Sequence, residues 1–112
     1  RLISCPQRAG QMDMAGVLQA LGQAGLTRIF CEGGAAVAAS LLQHDLVDEI
    51  VGFTAGLTLG AEGLPALGAM GYERLADAAR FDLQETKAVG GDVMHRWRRS
   101  APDVAGIEPL TL

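Results

Sequence analysis

Glu32-Gly33-Gly34 stands between an apolar run, Ile29-Phe30-Cys31, and a stretch of small residues, Ala35-Ala36-Val37-Ala38-Ala39. A carboxylate at a strand end, followed by two glycines and a helix, combines two chemistries. The glycines let a ligand approach the backbone, and the first helical turn presents N–H groups without intrahelical partners, which favour phosphate. The carboxylate accepts hydrogen bonds from hydroxyl or amine groups, and in an open α/β sheet ligands bind beyond the carboxyl ends of the strands. Burial of Glu32 is expected from the apolar residues before it. Spacing alone leaves another reading open: a tight turn with close helix packing, in which Glu32 bonds to backbone N–H groups as a cap. The pair lacks the third glycine of G-x-G-x-x-G and the Lys-Ser/Thr of a P-loop.

Other reactive side chains are read structurally. Asp48 and Glu49 are adjacent, so on a strand they face opposite ways and cannot work as a paired acid and base; turn formation and strand initiation explain them. His44 falls at a helix C-terminus, where it complements the dipole. His95 alternates with Val93 and Trp97 on one strand face, opposite Met94, Arg96 and Arg98, as on an edge or half-solvated strand. Arg96-Trp97-Arg98-Arg99 in an acidic chain reads as a solvated strand end rather than a nucleic-acid patch. Ser40 has no histidine and carboxylate grouped with it for nucleophilic catalysis. Cys5 and Cys31 are far apart, without a Cys-x-x-Cys partner or clustered histidines, so two reduced, buried thiols are expected and no metal site.

The elements that must position these groups follow from periodicity. Leu2 to Cys5 is a short apolar run stopped by Pro6, consistent with a strand end. Met14, Val17, Leu18 and Leu21 recur at helical spacing, with Asp13 able to cap and Gly25 placed for a left-handed C-terminal residue. Thr27 to Cys31 reads as a strand and Ala35 to Gln43 as a helix with almost no polar face, packed closely on a sheet. Asp45 to Glu49 makes a turn, Ile50 to Leu57 a strand, and the glycine-rich segment Thr58 to Gly71 an irregular loop. Phe81 to Val89 and Asp92 to Arg99 form a hairpin through Gly90-Gly91. Ala101 to Leu112 is a loose tail. The order implies an α/β domain with a terminal antiparallel portion.

The chain has 112 residues, of which 49% are hydrophobic, enough for one domain with a real core. The formal net charge of -4 argues against general nucleic-acid binding. No run approaches the roughly 18 apolar residues of a membrane span, and the chain reads as soluble, from a reducing cytosol. It begins Arg-Leu-Ile-Ser-Cys, without an initiator methionine and already inside a strand-like run, so a fragment is expected.

The stretch Gly25 to Gly60, GLTRIFCEGGAAVAASLLQHDLVDEIVGFTAGLTLG, resembles the C-terminal reductase domain of the bifunctional riboflavin biosynthesis protein RibD. The likeness is composite: G-[IL]-T-x-[IVL], E-G-G-x-x-[LV]-A, a leucine-rich helix, L-V-D-E, and a strand closing in L-G. It extends more loosely from about Arg1 through the GGDVMHRWRR hairpin. The resemblance implies a dihydrofolate reductase-like mixed sheet flanked by helices and ending in an antiparallel hairpin, with residues 1–100 forming the C-terminal part of such a domain. It implies NADPH-dependent reduction of the ribosyl group of 5-amino-6-(5-phosphoribosylamino)uracil by a cytoplasmic homodimer. By the same resemblance Glu32 contacts substrate, while Gly33, Gly34 and the backbone of Ala35, Ala36, Val37 and Ala38 hold cofactor phosphates. A cis peptide between Gly33 and Gly34 is also implied, as in dihydrofolate reductase relatives.

A complete domain of this kind is longer, and its N-terminal half supplies other strands, cofactor loops and substrate-phosphate contacts. The zinc deaminase domain often fused ahead of it is not expected within this stretch, because neither H-x-E nor P-C-x-x-C occurs in it. No residue stands out as a proton donor. Two alternatives remain open: a reductase of the same fold acting on another pterin or pyrimidine, and a noncatalytic piece whose role is assembly.

Overall fold

The computed structural model describes residues 2–5, 7, 8 and 10–100. Its elements are β1 (Gln7–Arg8), β2 (Gln11–Met12), α1 (Met14–Gln23), α2 (Ala35–Gln43), β3 (Glu49–Thr54), β4 (Phe81–Val89) and β5 (Asp92–Arg99). Short 3-10 turns cover Gly60–Glu62 and Leu75–Asp77. The expected tail, residues 101–112, lies outside the described residues.

The sheet that matters for the site is antiparallel, in the order β3-β5-β4. β5 is therefore central among the described strands, which corrects the edge alternative for His95, while the half-solvated one holds, the strand being a mix of exposed and half-buried residues. The reason is pairing: Gly52 faces His95 and Ile50 faces Trp97 on one side, while Thr86 and Leu83 face them on the other. A one-strand pattern cannot report how many neighbours a strand has. The hairpin turn takes a positive φ at Gly90 only, at 60°, as a type II′ turn requires.

The two N-terminal strands expected from apolar runs do not form as such. Leu2 to Cys5 has no regular structure, and Thr27 to Cys31 yields a single bridge at Phe30. A strand is defined by its ladder, and β-prone side chains alone do not supply backbone partners. In place of the first lies the small ribbon of β1 and β2, paired Gln7 with Met12 and Arg8 with Gln11.

Both helices obey their patterns. α1 ends where Gly25, at φ 98°, lets the chain turn back; its N–H reaches Gly22 O at 3.0 Å and Leu26 N–H reaches Leu21 O at 3.0 Å. Asp13 is the N-cap residue, yet its carboxylate makes no cap bond; only its carbonyl serves the helix, accepting Val17 N–H at 3.0 Å. α2 buries Ala39, Leu41 and Leu42. Leu41 and Leu42 join Val47 in the core, against which Met14, Leu18, Ile29, Ile50, Met70 and Phe81 pack. Burial of a leucine side chain contributes about 1.5 to 3 kcal/mol, so this cluster fixes α2 against the Ile50 end of β3. His44 closes the helix as expected, its Nδ1–H donating to Ser40 O at 2.8 Å.

Ion pairs then set the strand ends. Arg99 Nη2 donates to Asp48 Oδ1 and Arg99 Nη1 to Asp45 O, while Arg99 N–H meets Asp48 O at 2.9 Å. Arg96 lies 3.6 Å from Glu49. Two of the hairpin arginines are thus engaged with carboxylates, which supports their structural reading.

Candidate ligand cavity beside Glu32-Gly33-Gly34

α2 begins without a side-chain cap; Gly34 is its N-cap residue, at φ 63° and ψ 145°. Only glycine occupies that region without strain. The Gly33–Gly34 peptide is trans, since the described chain has no cis bond. The expected cis bond is corrected: rotation at Gly34 itself turns the chain from the Phe30–Glu32 segment into the helix. Because no side chain caps α2, the N–H groups of Ala35, Ala36 and Val37 leave the helix end without a side-chain acceptor. The positive end of the helix dipole lies at the same place.

Glu32 is exposed, contrary to the expected burial. Its side chain has no hydrogen bond or ion pair with a described residue, so the capping alternative is not realised. The apolar residues before it do not form the ladder that would have enclosed it. Cys31 is half-buried, as is Cys5, and both are free thiols, so full burial is corrected for both.

A cavity of about 620 Å³ opens at this junction. It is lined by Phe30 to Ala35, by Ala38 and Leu42 of α2, and by Ile50 to Phe53 of β3 with His95 of β5. Pro65, Ala66 and Leu67 complete it. That loop is held to the helix start, because Gly68 N–H donates to Ala35 O at 3.0 Å. The volume lies within the roughly 300 to 1,000 Å³ of small-molecule sites.

The structure therefore brings together Glu32, Gly33, Gly34, Ala35 and Ala38 of the expected residues. Ala36 and Val37 are exposed beyond the lining, with Val37 at 40%. His95 is the lining residue that sequence reasoning missed. Its ring lies over Gly52, where a Cβ would overlap the imidazole. Trp97 Nε1–H donates to His95 Nδ1 at 2.9 Å, and the two rings meet edge to face with centroids 6.2 Å apart. His95 Nε2 is 3.3 Å from Thr54 Oγ1. The alternation of His95 and Trp97 was a signal in the sequence, but only the pairing with Gly52 shows what it faces.

No described helix is long and apolar enough to cross a membrane, and no cluster of metal-ligating side chains occurs among the described residues.

Comparison with known proteins places these features. The model of the RibD C-terminal domain family matches residues 2–95. The riboflavin biosynthesis protein RibD of Escherichia coli (strain K12) is 34% identical over 93 residues, which is 83% of this chain and 25% of that protein. Its namesake from Actinobacillus pleuropneumoniae is 24% identical over 94 residues, again 83% of this chain and 25% of the relative. The chain thus spans about a quarter of the length of these curated relatives. A solved structure of Acinetobacter baumannii RibD, form 2, aligns at TM-score 0.57 and 28% identity over 62% of this chain and 19% of that one. Form 1 aligns at TM-score 0.63 and 23% identity over 86% of this chain and 30% of its own, a likeness of fold. The α/β architecture is accordingly part of a dihydrofolate reductase-like fold, and the chain belongs to the RibD C-terminal domain family.

Proposed function

We propose that the protein reduces the ribosyl group of 5-amino-6-(5-phosphoribosylamino)uracil to a ribityl chain with NADPH, as a cytoplasmic homodimer. Family membership supports a reductase with a nicotinamide cofactor. The observation that carries the reading is the cavity lined by Glu32, Gly33, Gly34 and the start of α2. It joins a carboxylate unpaired among the described residues, a glycine pair without side chains and a helix N-terminus without a side-chain cap.

These residues fit a phosphate-bearing cofactor. Beyond its chain neighbours, a Cβ at Gly33 or Gly34 would meet no atom of a described residue within 4 Å, so both face open space that a ligand can enter. The N–H groups of Ala35, Ala36 and Val37, with the backbone of Ala38 behind them, would hold the phosphates, each charge at the helix end contributing about 0.3 to 2 kcal/mol. NADPH supplies the hydride when bound. The work of this chain is then positional. Glu32 accepts hydrogen bonds from hydroxyl or amine groups of the substrate and orients them, and Phe30, Phe53 and Leu67 give the cavity apolar surface. Phe53 and Leu57, exposed at 63% and 68%, contribute to the contact between subunits.

Titration of the purified protein with NADPH tests the cofactor half of this reading. Saturable binding weakened by added phosphate is expected; no saturation even at millimolar cofactor contradicts it.

A further inference from the structure

Among the described residues that line the cavity, His95 is the only one with a nitrogen donor in its side chain; Glu32 is an acceptor and the others are apolar apart from the Cys31 thiol. What His95 offers to a ligand is decided behind it. The Trp97 indole N–H can only donate, so at 2.9 Å it requires a bare Nδ1 on His95. The proton of the neutral ring then resides on Nε2. Gly52 leaves room for the ring, and the edge-on Trp97 indole supports it.

The protein partner of that Nε2–H is the exposed Thr54 hydroxyl at 3.3 Å. Hydrogen bonds from N–H to oxygen cluster near 2.9 to 3.0 Å, so Thr54 holds the proton loosely. An acceptor oxygen of a bound molecule at ordinary distance displaces it.

We propose that His95 is a ligand-positioning residue whose Nε2–H donates to a carbonyl oxygen of the molecule held in the cavity that Glu32 also lines. His95 and Glu32 then match a group that presents both an acceptor and a donor, either the pyrimidine of the substrate or the carboxamide of the cofactor. Trp97 acts through His95 by fixing its tautomer. The choice between these two sources rests on the reductase reading; the tautomer does not.

Steady-state kinetics of the wild-type protein, His95→Leu, His95→Gln and Trp97→Phe test this, alongside the 15N shifts of the His95 ring. His95→Leu raises one Michaelis constant roughly three- to tenfold, the range of one neutral hydrogen bond. A rise for the pyrimidine assigns the oxygen to substrate, and a rise for NADPH assigns it to cofactor. His95→Gln, which keeps a donor near the Nε2 position, recovers most of the loss. In the wild-type protein Nδ1 resonates as a bare nitrogen and Nε2 as a protonated one, and Trp97→Phe mixes the two tautomers. Unchanged constants for both ligands in His95→Leu, or a protonated Nδ1 in the neutral wild-type ring, overturn the assignment. If the wild-type protein turns over no substrate, the reductase reading falls, and the nitrogen shifts alone then decide the tautomer on which the donor role depends.

Discussion

The imidazole of His95 occupies the space that a side chain at residue 52 would need, directly across the β3–β5 ladder. Gly52→Ala therefore forces the ring away from Trp97 and Thr54. A small-to-large change in a packed position costs about 1 to 3 kcal/mol. The expected outcome is a lower melting temperature together with a changed Trp97 emission, since the indole N–H loses its acceptor. A melting curve and emission spectrum identical to wild type would show that His95 is not held there.

Arg99 joins the end of β5 to the turn after α2 through the Asp48 carboxylate and the Asp45 carbonyl. Both charged side chains are partly exposed, at 31% and 23%, so solvent screens the pair. Arg99→Ala is expected to destabilise by about 1 to 2 kcal/mol, below the upper range for charge-assisted bonds. Denaturant unfolding at fixed salt measures this, with a smaller effect at high ionic strength.

Gly34 takes φ 63° with an extended ψ of 145°, a conformation that a Cβ opposes. Gly34→Ala costs about 1 to 3 kcal/mol if the backbone is kept. The relieved structure instead rotates the N–H groups of the first turn of α2 away from the cavity. Weaker NADPH binding with a retained α-helical spectrum is the expected result of a titration.

Glu32 is exposed and unpaired among the described residues, so Glu32→Gln leaves stability unchanged. Loss of a charge-assisted hydrogen bond to substrate corresponds to about 1.5 to 3 kcal/mol, or about a ten- to hundredfold drop in kcat/KM. Kinetics and a melting curve on the same variant separate the two effects.

Local patterns carried the middle and end of the fold into view. Ala35 to Gln43 forms the helix its near-continuous apolar run implies, and the strands on either side of Gly90-Gly91 have the limits read from alternation. These elements are specified by neighbours in sequence. Leu2 to Cys5 and Thr27 to Cys31 are not, because a strand needs a distant ladder to exist. The same limit hid His95: its alternation with Trp97 was visible, whereas the glycine across the ladder and the cavity beyond it depend on pairing with residues far away in the chain. Glu32-Gly33-Gly34 stands out in the sequence and lines the cavity, but the exposure of Glu32 and the trans bond at Gly33 depend on the surrounding packing.

The central claim is tested most directly by mixing the purified protein with NADPH and 5-amino-6-(5-phosphoribosylamino)uracil and following cofactor oxidation against product. One NADPH consumed per ribityl product, at a rate lowered by Glu32→Gln, is the predicted result. Saturable NADPH binding with no oxidation in the presence of that substrate would contradict the account.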